Sequence, residues 1–228
     1  MSSVKRKYVV PGDVVAEGDF RPVAHVTQHG NKFISTRVGM AEVGGEGVRV
    51  IPLSGPYIPR VDDLVIGQIV DYSAFAWDVD INSPFFGVLP AQSVFGREYS
   101  PADESLSSKF AIGDHLTCKI MSFDRTRDPL VTVSGPGLGK VEKGEIVKIS
   151  PTKVPRLIGK KGLMIKSIET ATNTRLAIGQ NGIVVTLGPS AGVEMVRRAI
   201  RLIEEEAHLA DLGSKVQALF TASESATN

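Results

Sequence analysis

The chain has 228 residues, 42% of them hydrophobic, and a formal net charge of +1 at pH 7. That length exceeds one small domain and suggests two or three, and the hydrophobic share is enough for folded cores. A single cysteine, Cys118, excludes an intrachain disulfide and a cysteine-built metal centre. Near-neutral charge confines any binding of a polyanion to a local patch. No apolar run is long enough to span a bilayer and no secretory signal is seen, so a cytoplasmic protein is expected.

Glycine (23) and proline (13) are plentiful, and helical patterns are scarce before residue 150. Residues 1–62 read as a small β domain. Its turns are Gly44-Gly45-Glu46-Gly47 and Pro52-Leu53-Ser54-Gly55-Pro56, and Val48–Ile51 alternates as a half-buried strand does. Lys5-Arg6-Lys7 reads as a solvated tail. His25 and His29 stand in turn-rich sequence with no partner motif.

Residues 63–138 carry five strand patterns: Val65–Tyr72, Ala74–Ile81, Phe86–Pro90, Leu116–Phe123 and Leu130–Ser134. A longer connection separates the third and fourth, which suits a five-stranded OB-type barrel. Cys118 falls inside an apolar run and reads as a buried strand residue. Trp77 and Phe86 fit a core and a surface equally well. Ten acidic residues against five basic ones give residues 63–134 a net −5. Asp71, Asp78 and Asp80 invite a metal-nuclease reading, Asp78 and Asp80 being two apart on one strand face; outward-facing barrel acids are far commoner.

Residues 141–210 change character. Glu145–Ile149, Thr174–Ile178 and Ile183–Leu187 read as strands, Gly179-Gln180-Asn181-Gly182 as a tight turn, and Ser190–His208 as a long helix. Between the first two strands runs Val154-Pro155-Arg156-Leu157-Ile158-Gly159-Lys160-Lys161-Gly162-Leu163. Apolar residues at helical spacing flank two glycines, with a helix predicted to start at about Leu163. Gly159 and Gly162 permit close backbone approach to a phosphate, and Lys160 and Lys161 are forced outward at the tip. Ten basic residues against two acidic ones between Lys148 and Arg201 give a net +8. That is the electrostatic footprint of a polyanion site, with Arg156, Lys160 and Lys161 at its centre. Residues 211–228 end in polar serine, threonine and asparagine and are expected to form a disordered tail.

The β-α-α-β-β-α order, with G-x-x-G between its first two helices, resembles the type I KH domain. The resemblance implies that the loop, with Arg156 and Ile158 beside it, clamps a few nucleotides of single strand. The middle segment resembles the S1 domain. The carriers are Gly67-Gln68-Ile69-Val70-Asp71-Tyr72-Ser73-Ala74-Phe75, Gly87-Val88-Leu89-Pro90, Gly113-Asp114 and Val131-Thr132-Val133-Ser134. In that family aromatics on the second and third strands stack bases, and the matching positions are Tyr72 and Phe75. Lys119, Arg125 and Arg127 are the basic residues expected to guide a strand. Pro90 stands where a histidine is common, and Thr132 where a basic residue is.

A β domain opening with Val10-Pro11-Gly12-Asp13, then S1, then one KH unit resembles the KH-bearing cap subunits of the archaeal exosome across nearly the whole chain. The fold implied is multidomain, mainly β plus α+β. The function implied is non-catalytic: binding single-stranded RNA and guiding it to the pore of a phosphorolytic ring. The partners implied are RNase PH-like ring subunits, with three caps per hexameric ring and the N-terminal domain docked on it. No cofactor and no metal are expected. A free-standing S1/KH factor in transcription or translation is the alternative.

Overall fold

Short apolar stretches, interrupted every few residues by glycine or proline, leave no helix before residue 90 among the described residues. The computed structural model describes residues 5–96, 99–101, 105–206 and 211–225, the side chains of residues 5, 6 and 222–225 excepted. The chain divides into two compact units, Met1–Gly55 and Pro56–Asn228.

The first unit contains seven strands among the described residues: β1 (Lys5–Val9), β2 (Val14–Glu17), β3 (Pro22–Ala24), β4 (Val26–His29), β5 (Lys32–Ser35), β6 (Gly39–Gly44) and β7 (Gly47–Pro52). They form a four-stranded sheet in the order β1-β6-β7-β3 and a three-stranded sheet in the order β2-β5-β4. Val9, Ala41 and Val50 form a buried cluster, with Val15 and Val26 packed on it. The β6–β7 hairpin closes at Gly44–Gly47, as its glycines suggest. The half-buried strand expected at Val48–Ile51 sits in β7, with Val48 and Val50 buried and Arg49 and Ile51 exposed.

The second unit begins with a barrel. Its strands are β8 (Leu64–Tyr72), β9 (Ala76–Asp80), β10 (Phe86–Pro90), β11 (His115–Ser122) and β12 (Leu130–Thr132). Each pairs with two neighbours in the closed circuit β8-β9-β10-β12-β11-β8. Only β10–β12 is parallel. This is the OB-type barrel expected from the strand pattern. Trp77 is fully buried, and its indole N–H donates to the Phe110 carbonyl at 3.2 Å. Cys118 is buried in the same core, and desolvation pushes its thiol up to about 12. The long β10–β11 connection carries a short helix, α1 (Gln92–Phe95), and buries Leu106 and Phe110 against the same core. Tyr57 also enters this core, and its hydroxyl donates to Asp63 at 2.7 Å. Desolvation, with Asp63 beside it, raises its phenol above the usual range. The first unit therefore closes at Gly55, short of the boundary at residue 62 read from sequence, because Tyr57 packs with the barrel.

β13 (Gly139–Lys140) pairs with β11 and leads out of the barrel. The remainder is β14 (Glu145–Lys148), α2 (Val154–Ile158), α3 (Leu163–Thr172), β15 (Arg175–Ile178), β16 (Ile183–Leu187), α4 (Ser190–Glu206) and α5 (Leu212–Ser225). The sheet is antiparallel in the order β14-β16-β15, the type I KH arrangement. The predicted C-terminus of α4 at His208 lies outside the described residues. The cross-strand row Val147, Val184 and Ile178 packs under the helices. The adjacent row Ile146, Val185 and Ala177 turns the other way, and with Ile183 it packs on Ile66 of the barrel. A strand buried on both faces loses its polar alternation. That accounts for the unbroken apolar run Ile183-Val184-Val185.

The seam is fixed by one side chain. Asn181, fully buried in the β15–β16 turn, donates from Nδ2 to the carbonyls of Ile66 (2.6 Å) and Ile81 (2.9 Å). Its Oδ1 accepts the Ile66 N–H at 3.3 Å. Its backbone carbonyl accepts from the Asn82 amide at 2.8 Å, and the Gln180 N–H donates to Leu64 at 2.7 Å.

The expected disordered tail is instead helical over Leu212–Ser225. Leu212, Val216 and Phe220 recur every four residues, one face of a helix, and bury against the KH core. Each such side chain contributes roughly 1.5–3 kcal/mol of burial. Lys215 pairs with Glu206 at 2.7 Å.

Asn181→Ala removes the partner of one buried N–H and two carbonyls. It is expected to cost about 3 kcal/mol in a urea titration of the full chain, since each orphaned group costs about 1–3. A loss below about 1 kcal/mol would mean that water satisfies those groups in its place.

Candidate nucleic-acid interface

α2 starts with Pro155 in its first turn, where a missing N–H costs nothing. It ends at Gly159, whose φ of 72° and ψ of 178° belong to a region reserved almost wholly to glycine. A Cβ there would also lie 2.6 Å from the Cβ of Met164. Lys161 adopts φ 52°, which turns the chain back. Gly162, at φ 75°, caps α3 with no side chain of its own, so the first N–H groups of a ten-residue helix face the loop without a side-chain partner.

The side chains of Arg156, Lys160 and Lys161 are exposed, and none takes part in a hydrogen bond or ion pair among the described residues. Two arginines elsewhere in the basic segment are spent. Arg197 pairs with Glu145 at 2.7 Å and Arg198 with Glu194 at 3.5 Å. Ile158 is half-buried with Met164 and Ile165 against the KH core, so it braces the loop from behind. Leu163, the first residue of α3, is 68% exposed directly after the loop. Sequence reading took it only as a helix start; its exposure beside two lysines puts an apolar side chain at the tip.

The barrel residues fall in separate places. Tyr72 (41% exposed) ends β8, and Phe75 (65%) sits in the β8–β9 turn, which Ser73 Oγ orders by accepting the N–H groups of Phe75 and Ala76. They therefore lie on and after the first barrel strand, not on the second and third as the family pattern suggested. The exposed aromatic of the third strand is Phe86, at 52%. Its outward side at the start of β10 could not be read from a short apolar segment.

Lys119 faces Leu64 across the β8–β11 ladder. That is eight residues from Tyr72, about 26 Å along the strand at ~3.3 Å per residue. Lys119 is also engaged with Asp62 at 2.7 Å. Arg125 and Arg127 are exposed in the β11–β12 loop, where Asp124 accepts from the backbone of Thr126 and Arg127. Those bonds hold the Asp124 carboxyl below its ordinary value. Asp128 accepts the Phe86 N–H at 3.3 Å, which sets this loop beside Phe86 and away from Tyr72.

Between the two aromatic positions lies an acidic step. Asp71 and Asp78 are register partners on β8 and β9. Burial, then Asp71 and Asp128, raise the Asp78 carboxyl above its ordinary 3.8. Among the described residues no group of three or more His, Cys, Asp or Glu side chains is arranged to hold a metal ion. No helix among them is long and apolar enough to cross a membrane.

Residues 6–54 match the family model of the exosome RNA binding protein RRP4 N-terminal domain, and residues 144–205 match that of the KH domain. The exosome complex component Rrp4 of Nitrosopumilus maritimus is 50% identical over 214 residues, 93% of this chain and 95% of its own length. That of Thermosphaera aggregans is 41% identical over 222 residues, 93% of this chain and 90% of its own. A crystal structure provisionally identified as an exosome complex RNA-binding protein superposes with a TM-score of 0.71 at 36% identity, covering 76% of this chain and all of that one.

The two loop glycines are expected to differ in cost. Gly162→Ala meets only an ordinary contact with Ile165 Cγ2 at 3.8 Å and a left-handed φ, a loss of about 1 kcal/mol. Gly159→Ala adds a backbone–side-chain collision and is expected to cost about 3 kcal/mol. Chemical denaturation of both variants checks the order. For Asp78, the folded-state pKa lies above the unfolded one, so ionisation costs stability. That cost is present at neutral pH and fades as pH falls through the folded value toward 3.8. Asp78→Asn is expected to raise the melting temperature at neutral pH, with the gain vanishing in acid.

Proposed function

The chain belongs to the Rrp4 family of exosome components, and from that premise we propose that it is a non-catalytic cap subunit for single-stranded RNA. In this reading it passes the strand to the central pore of a phosphorolytic 3'-5' exoribonuclease ring, in the cytoplasm. The partners are RNase PH-like ring subunits, three caps to a hexamer. The N-terminal unit supplies the docking surface, since its turn-rich β structure carries no nucleic-acid motif.

The observation that carries the reading is the Gly159–Gly162 loop. Two unpaired, exposed lysines and the free N–H groups of α3 stand over glycines that let a backbone come close. Such an arrangement recognises phosphates and is indifferent to base identity. The barrel adds flat aromatic surface at Tyr72, Phe75 and Phe86, on which any base can stack for roughly 1–3 kcal/mol. Its acidic step at Asp71 and Asp78 repels phosphates, so it favours contact through bases. Lys119 has no part in this reading because Asp62 occupies it.

The experiment is the double change Lys160→Asp with Lys161→Asp in the full chain, which the barrel–KH seam makes the proper unit to test. Both side chains point to water, so the circular dichroism spectrum is expected to stay the same. RNA affinity is expected to fall at low salt. The log–log salt slope is expected to flatten by about 1.4, at ~0.7 for each phosphate that the loop no longer neutralises. The fall should be equal for RNAs of different sequence. Unchanged affinity and slope would make the loop a plain helix turn. RNA shortening that scales with pure protein, in phosphate and magnesium, would overturn the non-catalytic assignment.

A further inference from the structure

An open cavity of about 400 Å³ lies where the barrel meets the KH domain. Tyr57, Asp80, Asn82, Ser83 and Pro84 line it from the barrel side, and Pro151, in the turn before α2, from the KH side. Its volume is near the lower end for ligand pockets, about 300–1,000 Å³, which suits one nucleoside and excludes a folded partner. Proline and tyrosine give it stiff apolar walls against which a flat ring can lie.

Its polar groups are partly spent, and what is left defines a ligand. Asp80 Oδ1 accepts the Asn82 N–H at 2.8 Å, while Oδ2 has no partner among the described residues. The Asn82 amide gives one of its two protons to the Asn181 carbonyl, leaving the other to donate and its Oδ1 to accept. Ser83 Oγ accepts the Phe85 N–H at 3.1 Å, which leaves its hydroxyl proton to donate. Two acceptors, one of them a carboxylate, and two donors remain. A carboxylate repels phosphate and accepts from an amino group. Uracil offers only its N3–H, flanked by two carbonyl oxygens that a carboxylate repels, whereas cytosine, adenine and guanine each offer an exocyclic amino group.

The cavity is also rigid and within reach. Asn82 is tied directly to Asn181, the residue that locks the seam. From Pro151 to Lys160 the chain runs through a 3-10 turn and α2, about 15 Å at ~1.5–2 Å per residue. That equals roughly four stacked nucleotides at ~3.4 Å each. Phe86, exposed on β10, follows the Asn82–Pro84 wall in the chain.

We propose that this seam cavity receives one base of the RNA strand held by the KH loop, and that Asp80 selects a base bearing an exocyclic amino group. The proposal rests on the RNA-binding reading above, and its test separates the two. Binding of the full chain is measured by fluorescence anisotropy with an oligouridylate, and with the same oligomer carrying a single cytidine at each position in turn. Cytidine at one position is expected to tighten binding roughly tenfold, the gain from a hydrogen bond to a charged group. Asp80→Asn is expected to abolish that gain and leave oligouridylate binding as it was. Ser83→Trp, which fills the cavity and leaves Asp80 in place, is expected to do the same. Melting curves confirm that each variant is folded.

If oligouridylate binds and the lysine variant weakens it, yet no cytidine position matters, the cavity proposal falls and the RNA-binding reading stands. A cytidine preference that survives both Asp80→Asn and Ser83→Trp also overturns the cavity proposal. If the wild-type chain binds neither oligomer, both readings fall together.

Discussion

The barrel and the KH domain are held as one body by a buried amide. Asn181 uses both of its amide protons, its side-chain oxygen and its main-chain carbonyl across the seam. Around it, Ile66 meets Ile183 and Val185. The apolar contact supplies most of the attraction, but it is non-directional. The amide supplies the registration, because buried acceptors left without a donor would each carry a desolvation cost. The turn that holds Asn181 is thereby committed to a protein contact, and the KH surface left open is the loop side.

That division explains why the charges are distributed as they are. Arg197 and Arg198 on α4 are absorbed by carboxylates, whereas the bases at the loop tip have none. Gly159 and Gly162 serve different ends. One avoids Met164, and the other caps α3 at a left-handed φ with no side chain over its N-terminus. On the barrel the same economy runs in reverse. Lys119 is paired with Asp62, Asp71 and Asp78 crowd one another, and Tyr72, Phe75 and Phe86 face outward.

Much of this was legible in the sequence, and the parts that were not have physical reasons. The five barrel strands and the KH order follow from short-range alternation and turn chemistry, which act within a few residues. The loop was legible because two glycines beside two lysines is a local pattern. The C-terminal helix was hidden by its polar composition; only the fourfold spacing of Leu212, Val216 and Phe220 betrays it. Tyr72 ends the first barrel strand, as its strand pattern has it, whereas Phe75 falls just before the second, because the turn ordered by Ser73 Oγ delays β9 to Ala76. Asn181 read as an ordinary turn residue. Its partners lie 100 and 115 residues away, a separation no local rule spans.

The two-sided burial of β16 has a consequence for descent as well as for folding. Val184 serves the helices and Val185 serves the barrel, so neighbouring positions answer to different cores. A KH domain of this kind is not a free module. Transplanted without its barrel, it would present an oily sheet face to water and invite aggregation. Recombination can move the pair intact, or not at all, and substitutions on one side of the seam constrain which substitutions the other side accepts.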